Sequence, residues 1–205
     1  MSGDLMAEYT STTQRSEPRS HGDFRTLWPL WLLVIFVSIQ FGAGLYEKTA
    51  IVPLWAHVPG DTVLEQLHAT GMYHASRAFW PYVSPAVAIL AVLNLVSAWR
   101  SGSGAVHRRW WLAAAVLMTC YATFSYSYFV PQMLILQSSG QSWSASRVES
   151  FVDWWTGLNY LRMTIGAAGW LCALRALSLS ALATQRQSAP HPLALGQDQA
   201  DLGKA

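Results

Sequence analysis

One stretch towards the C-terminal end concentrates residue types able to do chemistry: Trp154-Trp155-Thr156-Gly157-Leu158-Asn159-Tyr160-Leu161-Arg162. Wound as a helix, Trp155, Asn159, Arg162, Gly166 and Gly169 recur every three or four residues and share one face. The face carries an amide and a guanidinium beside two glycines, where a neighbouring helix can approach closely. The segment runs on without further charge to Leu174 and ends near Leu182. Counted from Trp154 at a membrane surface, Arg162 lies about eight residues in, roughly 12 Å at the rise of an α-helix. A charge at that depth costs at least a few kcal/mol, so it turns towards the bundle interior. There it suits a fixed cation for an anionic or carbonyl oxygen. The structural alternative is an ion pair with Glu47 that locks the first helix to the fourth.

Glu47 closes the first hydrophobic run, after Gly44-Leu45-Tyr46. Taken out of water, its carboxylate becomes a candidate general base. Facing water beside Lys48, it is an ordinary interfacial charge. Asn159, one turn before Arg162, either orients a ligand oxygen or bonds to a neighbouring helix. His57, His68 and His74 share one connection, and His74 with Arg77 precedes the second span closely enough to reach a pocket mouth. Glu65 and His68 have the i, i+3 spacing of di-iron bundles, but no second copy exists, so no metal site is expected; copper or haem through His68 or His74 is the alternative, with no paired spacing to support it. Tyr46, Trp55, Tyr126, Tyr128 and Trp155, with Trp80, Phe129 and Trp154, gather at one level of the chain's spans. They wall a flat apolar pocket or form an interfacial belt.

The elements that must position these groups are hydrophobic helices. The chain has 205 residues, 52% of them hydrophobic and only 12% charged, about half the charged fraction of a soluble domain. Trp28 to Tyr46 is uncharged throughout, about what a bilayer core requires. Further spans are expected at 83–99, 110–130 and 155–182, giving an all-α integral membrane four-helix bundle over 27–183 in contact with the lipid bilayer. Residues 1–26 and 184–205 read as disordered tails. The two non-cytoplasmic connections are long enough for short helices. Asp61 is a candidate N-cap for a helix running to about Phe79, and Pro131 is expected to break the third span. Ser146 and Glu149 have the spacing of a capping box.

Nine of the thirteen lysines and arginines, Arg100, Arg108 and Arg109 among them, fall on the side of the termini. Lys48, Arg77, Arg147 and Arg162 fall on the other, which places both termini in the cytoplasm. A net charge of +2 with no basic stripe implies no nucleic-acid partner. Cys120 and Cys172 lie in apolar runs and read as packing residues.

Gly42-Ala43-Gly44-Leu45-Tyr46-Glu47 with Pro53-Leu54-Trp55, then Tyr128-Phe129-Val130-Pro131, then Trp155 to Arg162, occur in this order on a four-span chain. Together they resemble the anthrone-oxygenase-like family of small membrane proteins, over roughly residues 27 to 180. Fungal members are cofactor-independent oxygenases that convert a polycyclic anthrone to an anthraquinone with molecular oxygen. The resemblance implies an apolar aromatic small molecule and oxygen as reactants. It implies Glu47 or His74 as base, Arg162 with Asn159 at the enolate oxygen, and the aromatics as a dry slot. The outer histidines are not part of the family pattern. A competing expectation is a non-catalytic subunit or ligand-binding protein. In that reading Glu47 and Arg162 form a clasp, and the Gly42/Gly44 and Gly166/Gly169 faces mediate homo- or hetero-oligomer assembly. A quinone or metal redox protein is a third class.

Overall fold

The uncharged run from Trp28 forms the body of helix α1 (Gly22–Tyr46), and the helical path does not stop where Glu47 and Lys48 bring charge. In this computed structural model, which describes residues 22–102 and 105–188, the chain enters a π-helical turn at Glu47–Ile51 and continues into α2 (Val52–Ala56). The Val52 N–H bonds to the Glu47 carbonyl, one residue further back than in an α-helix. Pro53, which has no N–H to contribute, follows at once. The third span repeats the device. Helix α5 is Ala105–Phe124, a π-turn spans Ser125–Phe129, and α6 is Val130–Ser139. Here the Val130 N–H bonds to the Ser125 carbonyl, and Pro131 follows. The expected break at Pro131 therefore does not occur, because the widened turn just before it lets the helical path run on.

The remaining elements are α3 (Val63–Ala69), α4 (Met72–Arg100), a 3-10 turn at Gly140–Ser142 and α7 (Ala145–Ser188). The helix expected from Asp61 to Phe79 is divided at Gly71, whose φ of +70° lies in the left-handed region that favours glycine. Thr62, not Asp61, stands at the start of α3. The second span begins at Met72 rather than near Val83, so Pro81 and Pro85 lie inside α4 and not at its start. The capping box at Ser146 also does not form. Ser144 accepts the Arg147 and Val148 N–H groups, while Glu149 Oε1 accepts the Gly60 N–H at 2.9 Å. Glu149 thereby ties the connection between the first and second spans to the root of α7. A Cβ on Gly60 would run into the Ala145 carbonyl, so this contact requires glycine. The expected tails lie mostly outside the described residues; within them, 22–26 begin α1 and 184–188 end α7.

Among the described residues four helical stretches are long and apolar enough to cross a membrane: Leu27–Ala56, Met72–Arg100, Val106–Ser142 and Ala145–Gln185. Their outward faces are apolar as well. Ile89 is 60% exposed and Leu171 59%, which suits lipid rather than water as the surrounding medium. The protein is an all-α integral membrane bundle, with no strand among the described residues.

Two apolar clusters divide the interior. One joins Leu33, Val37, Leu90, Trp111, Met118 and Ala176 from α1, α4, α5 and α7. The other joins Val52, Trp55, Leu67, Phe129, Val152 and Trp155 at the end bearing the two longer connections. Among the described residues five polar side chains are buried: Gln40, Lys48, Asn94, Ser125 and Asn159. Asn94 sits in the first cluster, where it donates to the Pro29 and Leu90 carbonyls (both 2.8 Å) and accepts from Trp111 Nε1 (2.8 Å). The other four lie in a polar layer between the clusters. Both π-turns open onto this layer.

Candidate functional site: a polar cavity between two apolar clusters

The small-residue stripe of α7 sets how closely α5 can approach. Gly166 lies against the Tyr121 ring, where an added Cβ would come within 3.1 Å. Gly169 lies against Leu117 and Met118, at 3.2 and 2.9 Å for the same hypothetical atom. The two helices make the most extensive contact in the molecule. About one, two and three turns along the same face come Arg162, Asn159 and Trp155, which the close approach turns inward. Trp155 and Asn159 are buried and Arg162 is half-buried, as expected of a single helical face. Gly42 behaves differently: nothing lies within 4 Å of its hypothetical Cβ, so it makes no close helix contact within this chain.

A cavity opens between α1, the first π-turn, α5 and α7. Glu47, Lys48, Asn159, Arg162, Gln40 and Tyr121 supply its polar lining, and Val37, Phe41, Gly44, Val52, Met118, Met163 and Gly166 the rest. Its empty volume is about 470 Å³, counting the part that opens to the surroundings. The enclosed part has room for about one water molecule, so a ring-sized ligand must displace the flexible side chains of Met118 and Met163.

The guanidinium is held from two sides. Arg162 Nε donates to Asn159 Oδ1 at 2.9 Å, and Nη1 donates to the Ser125 hydroxyl at 3.3 Å. Its charge lies 4.6 Å from the centre of the Phe129 ring and 5.4 Å from that of Tyr121. Phe129 in turn meets Trp155 edge-on at 5.7 Å. The described residues thus use two of the five guanidinium N–H groups, and the rest remain for a ligand. Gln40 Nε2 donates to the Tyr121 hydroxyl at 2.8 Å. Gln40 Oε1 is buried without a hydrogen bond from the described residues and faces a cavity whose occupant could donate one.

Glu47 faces the same cavity from the first π-turn. Its Oε1 accepts from the Ser76 hydroxyl (3.1 Å) and from Trp80 Nε1 (3.3 Å), both on α4. No hydrogen bond to Oε2 is formed by the described residues. The direct clasp between Glu47 and Arg162 does not form, since no ion pair within 4.0 Å joins them. The carboxylate is instead drawn to the α4 side, while Asn159 and Ser125 hold the cation on the α5–α7 side. Lys48, the next residue, is 5% exposed and donates from Nζ to the Thr156 carbonyl at 3.2 Å, 4.2 Å from the centre of the Tyr160 ring.

The other sequence candidates lie elsewhere. His74 is exposed, with its ring edge-on to Tyr73 at 5.4 Å, and does not line the cavity. Tyr46 is 64% exposed and Tyr126 43%, both on the outside of the bundle. Tyr128 stacks on Phe124 at 6.0 Å. Trp55 is wholly buried, donates to Met72 Sδ at 3.0 Å and packs against Trp155 at 6.1 Å. Trp55 and Trp155 thus roof the polar layer without lining the cavity. Among the described residues no three His, Cys, Asp or Glu side chains converge as metal ligands would.

Sequence reasoning passed over Lys48, Gln40, Tyr121 and Ser125. For Gln40 a signal was present, an amide inside an uncharged span. For Lys48 the neighbouring carboxylate suggested a solvated end of the helix, and only the π-turn shows that the chain remains within the bundle. Fold and site together define an integral membrane helical bundle with a buried, charged cavity at the meeting of three spans. No protein-family model, no curated protein and no solved structure matches the chain.

Proposed function

We propose that this protein is a cofactor-independent oxygenase acting on an apolar polycyclic aromatic substrate, with both termini in the cytoplasm. The observation that carries the reading is that Glu47, Asn159 and Arg162 line one cavity while the acid and the cation remain apart. An acid and a cation locked in an ion pair would neutralise each other. Held apart, one can take a proton and the other can receive the negative charge that results. The resemblance of the Gly44-to-Glu47 and Trp155-to-Arg162 segments to anthrone oxygenases points the same way. The orientation rests on Arg100, Arg108 and Arg109 between the second and third spans.

In this mechanism the benzylic C–H of an anthrone, flanked by two rings and conjugated to a carbonyl, loses its proton to Glu47 Oε2. The electron pair moves into the ring system, and the enolate oxygen is held by the free N–H groups of Arg162. Asn159 keeps the guanidinium in place. The electron-rich carbon reduces molecular oxygen and bonds to it, and the proton on Glu47 returns to give a hydroperoxide. Loss of water then leaves the quinone carbonyl, so that anthrone and oxygen yield anthraquinone and water. The apolar clusters on both sides keep bulk water from the enolate.

Protein reconstituted in lipid discs and given anthrone is expected to consume oxygen and form anthraquinone above the autoxidation rate, with Glu47→Gln returning it to background. A wild-type rate equal to autoxidation would sink the reading. A second reading, a non-catalytic ligand-binding subunit, is favoured by the narrowness of the enclosed space, which suits a small occupant. Saturable binding of anthrone without turnover would select it.

A further inference from the structure

The oxygenase reading uses Arg162 and leaves Lys48 without a task. We infer that Lys48, beside Arg162 in the same lining, is the seat for one ionised oxygen group, a carboxylate, on a lipid-soluble aromatic ligand. Both cations line the cavity, and both are held against α7. Lys48 Nζ rests on the Thr156 carbonyl, and Arg162 lies on the turns that follow. Lys48 is nineteen-twentieths buried yet uses only one of its three N–H groups in a hydrogen bond.

Charge balance gives the class of ligand. The cavity is lined by two cations and one carboxylate, Glu47, whose Oε1 is engaged by Ser76 and Trp80 on the far side. The lining therefore carries one positive charge in excess. An uncompensated charge in a water-poor interior is strongly unfavourable, and a bound anion relieves it. Proton transfer from substrate to Glu47 does not change this sum, because the charge lost by the acid appears on the enolate. Neutrality requires a further ionised group on the substrate itself. This step rests on the oxygenase reading, whereas the anion seat stands on the lining residues alone. Lys48, as a compact point charge on a flexible stem, suits the ionised group, and the pre-oriented guanidinium suits the planar enolate.

The test compares 9-anthracenecarboxylate with its neutral methyl ester, measured by quenching of tryptophan fluorescence in phosphatidylcholine discs and corrected with empty discs. Wild type is expected to bind the carboxylate about tenfold more tightly than the ester. Lys48→Met is expected to lose most of that preference, and Lys48→Arg to keep it. Should Lys48→Met fail to fold, Lys48→Gln, which retains a donor for the Thr156 carbonyl, gives the same comparison. Equal binding of acid and ester by wild type, or an unchanged preference without Lys48, would overturn the seat. Replacing part of the lipid by phosphatidylglycerol is expected to leave carboxylate binding unchanged. Competition by that lipid would overturn the aromatic acid in favour of a lipid headgroup. Anthrone turnover at background with the preference intact would remove only the oxygenase, and turnover without the preference only the seat.

Discussion

Arg162 on α7 donates to the hydroxyl of Ser125 at 3.3 Å, so the cation is anchored on the π-turn of the third span. Ser125 in turn donates to the Tyr121 carbonyl one turn earlier, at 2.8 Å. The first span presents Glu47 and Lys48 from a π-turn of its own. A π-turn inserts a residue into the helical path and re-aims the side chains around it. Here two spans use it at the same level, and both place polar groups in one layer. The wide turn thus does two things at once: it accommodates the following proline and it builds the site.

Glu47→Gln tests the base with little structural disturbance. The amide oxygen can still accept from Ser76 and Trp80, so the unfolding temperature in detergent is expected to stay close to wild type. Oxygen consumption with anthrone is expected to fall by at least about 100-fold, the usual contribution of a positioned general base. An active Glu47→Gln protein would remove the carboxylate from the mechanism.

Arg162→Lys keeps the charge and removes the fork. A lysine ammonium cannot reproduce the guanidinium's simultaneous grip on Asn159 Oδ1 and Ser125, so turnover is expected to drop even though the charge remains. Arg162→Leu leaves the buried Asn159 oxygen without its donor, which costs about 1–3 kcal/mol of stability. Parallel measurements of turnover and thermal unfolding separate the two effects. Lysine is expected to keep more stability than leucine while restoring little activity.

Gly166→Ala and Gly42→Ala form a matched pair. At Gly166 the new methyl meets the Tyr121 ring at 3.1 Å and pushes it from its bond with Gln40, at an expected cost of about 1–3 kcal/mol. At Gly42 nothing lies within 4 Å, and the better helix former is expected to change stability by about 0 to 1 kcal/mol in the favourable direction. A destabilised Gly42→Ala would reveal a second helix on that face, which dependence of the unfolding temperature on protein concentration would detect.

Asn94→Leu probes the bundle away from the cavity. It strands Trp111 Nε1 in an apolar cluster, with about 1–3 kcal/mol lost for the buried donor left unpaired, while the Pro29 carbonyl keeps its place in the α1 ladder. Trp111→Phe in the same chain removes the stranded donor and is expected to recover part of the loss. Activity per folded molecule is expected to match wild type, because neither residue lines the cavity.

The membrane class and the inward face of the last helix were legible in the residues alone. Uncharged runs of bilayer length admit few other structures, and a guanidinium inside such a run must turn from lipid. The spacing of Trp155, Asn159, Arg162, Gly166 and Gly169 gave the buried face without any knowledge of its neighbours. What the chain did not disclose was how the helices end and which groups meet. Glu47-Lys48 and Pro131 look like stops because charge and proline usually end a span, yet a single widened turn carries the helix past each. The partners of Glu47 lie about thirty residues away on α4, at Ser76 and Trp80, and no local pattern points to them. The same holds for Lys48, buried against Thr156 across 108 positions of sequence. Periodicity records which face of a helix avoids lipid. Only the packing of four helices decides which polar groups share the space behind it, because each choice depends on distant side chains that compete for the same few partners.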